Sequence, residues 1–233
     1  MFRIVIISGG RLEKESALAF LTKNTFEIVI GVDGGLKFCF ENGILPDYIV
    51  GDFDTIEPEI LKTFSENPKV NTIKYQPEKD LTDTQAAVEL AVRLIKEEGE
   101  SKKKAPNSDA GLGEIVLLGG IGSRMDHTLA NIGCLLYALK EKVVMKIVDD
   151  HNCMYLQDKS FSVKKDTMVY RKYLSFLAVG ETVTGLTIKG MKYETEKLDL
   201  ELLSSRGVSN EMLEEQAEIS FDTGILLVIE SRD

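Results

Sequence analysis

Hydrophobic runs alternate with amphipathic stretches through the first 150 residues. Six short apolar runs are typical of strands and cover residues 4–8, 26–32, 48–50, 70–75, 115–118 and 143–148. Helical spacing occurs between them, near residues 16–21, 36–41, from Pro58 onward, 83–98 and 129–139. Strands that alternate with helices favour a parallel sheet with helices on both faces.

The residues that follow these strands are glycines, acids or both. They are Gly9 and Gly10, Asp33 and Gly34, Asp52 and Asp54, Asp80 and Asp83, and the segment from Gly119 to Asp126. Turns that follow parallel strands lie at one edge of a sheet, so we expect these groups to converge on one crevice. Glycines let backbone N–H groups approach phosphate oxygens, and helix N-termini supply partial positive charge. The pattern predicts a nucleotide-phosphate site in which the acids hold a metal ion.

Asp52 and Asp54 are separated by one residue directly after an apolar strand that ends in Gly51. Two carboxylates at such a junction repel each other unless a cation neutralises them. Mg²⁺ suits hard oxygen ligands of this kind. An isolated Asp-x-Asp is more often a solvated turn, but the acids at the other strand ends favour the metal interpretation here.

Beyond Asp149 the pattern changes to short β-type runs without a substantial helix. They cover residues 152–156, 160–164, 173–179, 184–189, 217–221 and 225–229. We therefore predict an α/β domain over residues 1–150 and an all-β sandwich domain over residues 151–233. Residues 99–113 are polar and rich in lysine, which predicts a surface loop.

Composition narrows the class of protein. The 233-residue chain has a formal net charge of -10, which argues against a nucleic-acid binder and disfavours anionic membrane surfaces. Its first apolar run is too short for a signal peptide, and no window predicts a membrane span, so we expect a cytoplasmic protein. Cys39, Cys134 and Cys153 stand singly in apolar stretches, as buried structural thiols do.

Four segments together resemble the thiamine pyrophosphokinase family. They are Gly31-Val32-Asp33-Gly34-Gly35, Pro46 to Thr55 with the sequence PDYIVGDFDT, Lys79-Asp80-Leu81-Thr82-Asp83-Thr84, and Leu118 to His127 with the sequence LGGIGSRMDH. In the β domain, Thr184-Gly185-Leu186 and Gly207-Val208-Ser209-Asn210-Glu211 are similar to the family's thiamine-binding segment. The resemblance runs almost from end to end, and residues 99–113 are its main departure.

The resemblance implies an α/β domain followed by a β-sandwich domain, and a Mg²⁺-dependent enzyme. The reaction would transfer the terminal pyrophosphoryl unit of ATP to the hydroxyl of thiamine, with AMP as the other product. The partners implied are thiamine and ATP, together with a second copy of the chain in a homodimer that has thiamine sites near the subunit interface.

The resemblance also implies roles for single residues. Asp52, Asp54 and Asp83 would bind the metal, with Asp80 as a further catalytic acid. Arg124 would clamp phosphate, and Asp126 would orient or deprotonate the thiamine hydroxyl. Ser209 and Asn210, with Asp126, would contact thiamine. The nucleotide contacts would be Gly9, Gly10, Asp33, Gly34, Thr82, Gly119, Gly120 and Arg124.

Some of these residues also have a simpler structural interpretation. Arg124 can be a surface ion-pair partner, and His127 can cap or pack at a helix start. Asp149, Asp150 and His151 fit a turn between domains. Two other functions remain open, an ordinary γ-phosphoryl kinase that lacks the P-loop motif and a non-catalytic nucleotide or thiamine sensor.

Overall fold

The computed structural model describes residues 1–76, 80–101, 112–202 and 204–233. The chain divides into two compact units, Met1–Asp150 and His151–Asp233. No helix in the described part of the chain is long and apolar enough to cross a membrane.

The first unit contains a parallel sheet with the strand order β4-β3-β2-β1-β5-β6. Its strands are β1 (Phe2–Ile7), β2 (Ile28–Val32), β3 (Tyr48–Gly51), β4 (Asn71–Lys74), β5 (Gly113–Leu118) and β6 (Val144–Val148). β1 and β5 are central, and Ile4, Ile6, Ile115 and Leu117 are fully buried. Each such side chain contributes about 1.5–3 kcal/mol to folding when it leaves water, which explains why these runs are apolar throughout.

Five helices connect the strands. They are α1 (Lys14–Lys23), α2 (Gly35–Glu41), α3 (Pro58–Ser65), α4 (Asp83–Ser101) and α5 (Met125–Lys140). Glu13 caps α1 by accepting a hydrogen bond from the Ser16 N–H at 2.7 Å, and Pro58 occupies the first position of α3, where its missing N–H has no cost. Each of these helices follows a strand of the sheet, after two residues at α2 and after six to eight residues at the others.

The amino ends of the central strands hold a group of paired charges. Glu114 of β5 is 7% exposed, and its carboxylate contacts Arg3 Nε at 2.5 Å and Lys146 Nζ at 3.0 Å. Burial alone would raise the pKa of Glu114, but Lys146 and Arg3 outweigh burial and lower it. Arg3 also lies 4.8 Å from the centre of the Phe26 ring. Two cations thus neutralise the buried carboxylate at this end of the sheet.

The second unit consists of two antiparallel sheets. The three strands β7 (Asn152–Gln157), β13 (Leu226–Ser231) and β9 (Tyr173–Ala178) are neighbours in that order. The other sheet has the order β11-β10-β12-β8, formed by Thr195–Leu200, Val183–Lys189, Gln216–Ser220 and Phe161–Lys164. Both sheets contribute to one core, in which Phe176, Leu186, Ile219 and Val228 are almost fully buried. The unit is a β-sandwich.

The predicted fold class, a parallel α/β sheet followed by a β-sandwich, is confirmed. The prediction missed β11, because Thr195–Leu200 is mostly polar and lies at a sheet edge. Helix α5 starts at Met125 rather than near residue 129, so Asp126 and His127 belong to its first turn. In the predicted 99–113 loop, residues 99–101 continue α4 and Gly113 opens β5; residues 102–111 lie outside the described residues, as do residues 77–79.

The three cysteines are free and buried, as predicted. Burial raises the pKa of Cys39 to about 12 and that of Cys134 to about 11. Thiols with pKa values this high carry little thiolate at neutral pH, so they act as core side chains rather than nucleophiles.

Candidate functional site

Three carboxylates gather at the carboxyl edge of the parallel sheet. Asp33 follows β2, Asp52 follows β3 and Asp83 opens α4. One oxygen from each lies within 4.8 Å of the other two, and all three residues are half-buried. Like charges at this separation repel each other, and carboxylate oxygens are the ligands that Mg²⁺ prefers. The donor set therefore fits a divalent cation.

The backbone around these acids is shaped to hold them. Asp33 and Phe53 both have positive φ, at 40° and 62°, which costs about 1 kcal/mol or more for residues other than glycine. The Phe53 ring is 7% exposed and anchors the turn that follows β3. A Cβ atom at Gly51 would lie 2.0 Å from Asp33 Oδ1. Glycine at position 51 thus leaves the space that the Asp33 carboxylate occupies.

Asp54 and Asp80 are exposed and lie outside this group of three. The Asp54 N–H donates a hydrogen bond to Asp52 Oδ1 at 3.1 Å, which orients the Asp52 carboxylate. The sequence motifs predict Asp33 at the nucleotide and Asp54 at the metal, whereas the structure brings Asp33 to Asp52. The pairing of Val32 with Val50 in adjacent strands explains this, because it sets the ends of β2 and β3 side by side.

The glycines at this edge permit close backbone contact between loops. A Cβ atom at Gly9 would lie 3.1 Å from Gly34 Cα, and one at Gly10 would lie 2.3 Å from Gly119 O. The Gly10 N–H donates to Gly119 O at 2.9 Å. Gly119 has a φ of 68°. The loops after β1, β2 and β5 are thus packed together, and the Gly10 N–H serves this packing.

Two buried polar pairs that sequence analysis missed fix these loops. Asn131 of α5 is 5% exposed, and its Nδ2 donates to Gly120 O at 2.7 Å. The hydroxyls of Ser8 and Thr84 lie 2.7 Å apart and are both buried. The polar residue Asn131 within the apolar pattern of α5 was the available signal. Each pair ties a helix to the carboxyl end of a strand.

Arg124 and Asp126 contact each other at the start of α5. Arg124 Nη2 lies 2.6 Å from Asp126 Oδ2, and Arg124 Nε lies 3.3 Å from Asp126 Oδ1. Both side chains are exposed. The hydrogen bonds from Arg124 lower the pKa of Asp126, which is the opposite direction to the one a general base needs. In this state the carboxylate is an acceptor and a poor base.

Thr82 and His127 occupy helix starts. Thr82 Oγ1 accepts a hydrogen bond from the Gln85 N–H at 3.1 Å, so it caps α4 and thereby supports Asp83. His127 is exposed in the first turn of α5.

In the second unit, the Asn210 side chain is occupied by backbone partners. Asn210 is 4% exposed. Its Oδ1 accepts from the N–H groups of Tyr193 and Glu211, each at 2.9 Å, and its Nδ2 donates to Tyr193 O at 2.8 Å. Ser209 is exposed, has a φ of 60°, and donates its N–H to Ser175 Oγ at 3.0 Å. Asn210 therefore ties the segment that carries Ser209 to the segment that carries the exposed Tyr193.

Family comparisons cover most of both units. Residues 21–147 match the family described as thiamin pyrophosphokinase, catalytic domain, and residues 160–226 match thiamin pyrophosphokinase, vitamin B1 binding domain. A thiamine pyrophosphokinase of Bacillus subtilis is 31% identical over 237 residues, which span 100% of both chains.

Solved structures of thiamin pyrophosphokinases are also similar to this chain. A thiamine pyrophosphokinase from Bacillus subtilis superposes with a TM-score of 0.79 and 27% identity over 99% of each chain. One from Geobacillus thermodenitrificans gives a TM-score of 0.78 and 27% identity, over 100% of this chain and 98% of the other. The resemblance seen in the sequence motifs is confirmed, and the chain belongs to the thiamin pyrophosphokinase family.

Proposed function

We propose that the protein transfers the pyrophosphoryl group of ATP to the hydroxyl oxygen of thiamine, with Mg²⁺ bound at the carboxyl edge of the parallel sheet. The observation that carries the proposal is the group of three carboxylates, Asp33, Asp52 and Asp83, within 4.8 Å of one another in the unit that matches the catalytic-domain family. A polyanionic substrate would be repelled by this group unless a cation lay between them.

The thiamine oxygen attacks the β-phosphorus of ATP in this reaction. A new bond forms between that oxygen and the β-phosphorus, and the bond from the β-phosphorus to the bridging oxygen of the α-phosphate breaks. AMP leaves with the bridging oxygen, and the proton of the hydroxyl passes to water. Such transfers depend on positioning and charge neutralisation more than on covalent catalysis by the protein.

Asp33, Asp52 and Asp83 are the proposed metal ligands. Asp33 takes the place that sequence analysis gave to Asp54, and Asp54 supports Asp52 through its N–H. When bound, Mg²⁺ supplies positive charge that offsets the phosphate oxygens. Asp80 remains a candidate for a supporting acid near Asp83.

Arg124 and Asp126 are proposed to act in sequence. Arg124 binds phosphate oxygens with its planar fork, for which it must leave Asp126. The released carboxylate then accepts the hydrogen bond of the thiamine hydroxyl and orients its oxygen. Because an exposed ion pair contributes little stability, this exchange costs little.

The glycines are proposed to admit the nucleotide close to the backbone. The proposed contacts are made by the backbone of Gly9, Gly34, Gly119 and Gly120, whose lack of a Cβ atom lets these loops pack closely against one another and against the core. Thr82 caps α4 at the same edge. The role of Gly10 is to seat the loop after β1 on Gly119.

The second unit is proposed to bind thiamine through Ser209, with Asn210 as a positioning residue. Its match to the vitamin B1 binding domain supports this assignment. Leu202, Val208 and Leu213 are exposed apolar side chains of the same unit, which supports the further proposal of a homodimer. We also propose a cytoplasmic location for the enzyme.

The direct test is to incubate the protein with ATP, MgCl₂ and thiamine and to identify the products by ³¹P NMR and chromatography. We expect thiamine diphosphate and AMP in equal amounts, and neither product when EDTA is added. ADP with thiamine monophosphate would indicate an ordinary γ-phosphoryl kinase. Binding of ATP or thiamine without turnover would indicate a sensor.

The proposed contact between Ser209 and thiamine can be tested separately. Ser209→Ala should raise the KM for thiamine about fivefold with kcat and the KM for ATP nearly unchanged, because one hydrogen bond to substrate is worth about 1 kcal/mol in ground and transition states alike. Ser220→Ala, an exposed serine on β12, is the matched control. An unchanged KM in Ser209→Ala would remove Ser209 from the thiamine site.

A further inference from the structure

Arg11 lies in the loop that follows β1, two residues beyond Gly9, at the carboxyl edge of the sheet. Two backbone hydrogen bonds fix this loop against the loop that follows β5. The Gly10 N–H donates to Gly119 O at 2.9 Å, and the Arg11 N–H donates to Ile121 O at 2.7 Å. Arg11 is therefore held beside the segment that carries Arg124.

Close packing strengthens this arrangement. A Cβ atom at Gly122 would lie 3.3 Å from Gly10 Cα and 3.5 Å from Arg11 N. The two loops are thus in close backbone contact, which places the loop of Arg11 next to the loop of Arg124.

The Arg11 side chain is directed by an acid. Its Nη2 lies 3.4 Å from Asp150 Oδ2, just beyond the end of β6. The Arg11 side chain is 70% exposed, whereas that of Asp150 is 10% exposed. Arginine has five N–H donors in a fixed fork, and one long contact engages only a small part of that capacity. The guanidinium thus lies across the ends of β1, β5 and β6, open to solvent.

The balance of charged residues at this edge points to a binding role for Arg11. In the described parts of the loops that follow the six parallel strands, Arg11 and Arg124 are the two arginine or lysine residues, and acids outnumber them. ATP carries up to four negative charges. A cation at the three carboxylates offsets part of this charge, and the edge needs further positive groups to hold the rest.

We infer that Arg11 is a second phosphate-binding side chain for the nucleotide, positioned by Asp150 and acting beside Arg124. The inference rests on the proposed function, because it presumes that ATP binds at this edge. A purely structural role does not account well for the Arg11–Asp150 pair, because an exposed ion pair at 3.4 Å contributes little to the free energy of folding.

The test is calorimetric binding of Mg-ATP without thiamine, so that no turnover occurs. Arg11→Met keeps the length of the aliphatic side chain and removes the charge. We expect its Kd for Mg-ATP to rise about tenfold, which is the loss of one charged hydrogen bond at an exposed site. Its Kd for adenosine, which has no phosphate, should not change.

Arg93→Met is the matched control. Arg93 lies on α4, is 65% exposed, and contacts Glu97 at 4.0 Å, so it resembles Arg11 in exposure and in having one acidic partner. We expect this variant to bind Mg-ATP as the parent does. Melting temperatures of all proteins show whether each variant is folded.

Salt and a conservative variant separate phosphate binding from a structural role. The difference between parent and Arg11→Met should shrink as NaCl rises from low to about 0.5 M, because salt screens exposed charges. Arg11→Lys should recover most of the affinity. Parent-like binding by Arg11→Met, or an equal loss for adenosine, would overturn the inference and leave the proposed function standing. Failure of the parent to bind Mg-ATP would overturn both.

Discussion

The two ends of the parallel sheet treat charge in opposite ways. At the amino ends, the buried carboxylate of Glu114 is matched by Arg3 and Lys146, and these cations hold its pKa low. At the carboxyl ends, three carboxylates lie within 4.8 Å of one another. One end uses charge to stabilise the fold, and the other concentrates charge of one sign.

Positive φ occurs at both edges, since Lys142 just before β6 has a φ of 60°, but at the carboxyl edge it occurs beside the group of acids. Asp33 and Phe53, at the carboxyl ends, have positive φ, and Gly51 keeps the space beside Asp33 clear. Strain of this kind persists only where surrounding contacts impose it, and it is common at functional sites. The carboxyl edge carries the proposed metal site and the amino edge carries a buried carboxylate with its cations, so substitutions at the two edges should have separable effects.

Asp83→Asn should give the largest effect. It keeps the shape of the side chain and removes one charge from the proposed metal site, so we expect kcat for thiamine diphosphate formation to fall about a hundredfold or more. The melting temperature should stay the same or rise, because repulsion among the acids is relieved.

Glu97→Gln is the control for this variant, since Glu97 lies on the same helix and is 62% exposed. It should retain parent activity. Near-normal turnover of Asp83→Asn at saturating Mg²⁺ would contradict the assignment of Asp83.

The same substitution can be made at each edge, as Arg124→Met at the carboxyl edge and Arg3→Met at the amino edge. Loss of Arg124 should lower kcat/KM for ATP about thirtyfold, because a forked contact to phosphate is worth about 2 kcal/mol. Loss of Arg3 should lower the free energy of unfolding and leave kcat/KM unchanged. Steady-state kinetics and urea denaturation of both variants distinguish these outcomes, and a reversed pattern would break the division between edges.

Glu114→Gln tests the amino edge directly. The substitution leaves two cations without their buried carboxylate, and we expect the free energy of unfolding to fall by about 2 kcal/mol. Because Arg3 and Lys146 are partly exposed, water offsets some of the loss. Activity at 25 °C should remain within about twofold of the parent, and a hundredfold loss of activity in the folded variant would contradict the account.

The smallest predicted effect is on the pH dependence of the free energy of unfolding. Since the folded pKa of Glu114 lies below its ordinary value of 4.5, its ion pairs contribute fully above pH 4.5 and their contribution is lost as pH falls through the folded pKa. Parent stability should therefore decline more steeply than that of Glu114→Gln in acid below pH 4.5. Parallel curves of unfolding free energy against pH would show that Glu114 does not carry this dependence.

Much of the fold could be predicted because its signals are local. The apolar run of β1 and the glycines that follow it indicate a central parallel strand whatever its neighbours are. Strand β11 could not be found in this way, since Thr195–Leu200 is an edge strand whose pairing with β10 compensates for its polar sequence. Propensity is weak where cross-strand contacts decide.

The candidate site was predicted in outline and differed in detail. The convergence of strand ends follows from parallel topology, so Asp52 and Asp83 were expected to meet. The place of Asp33 depends on β2 lying next to β3, which no local signal gives. The partners of Asn131 and Asn210 depend on which backbone groups the folded chain brings near, and a sequence does not display them.

Divalent-cation binding tests the central claim most directly. Mn²⁺, which favours the same oxygen ligands as Mg²⁺, can be titrated into the protein without nucleotide and its free fraction followed by EPR. We expect the parent and Glu114→Gln to bind Mn²⁺ with the same Kd, Asp54→Asn to bind it only slightly less tightly, and Asp52→Asn to bind it at least about tenfold less tightly. Binding of Mn²⁺ by Asp52→Asn as tightly as by the parent would contradict the claim that the three carboxylates at the carboxyl edge hold the metal.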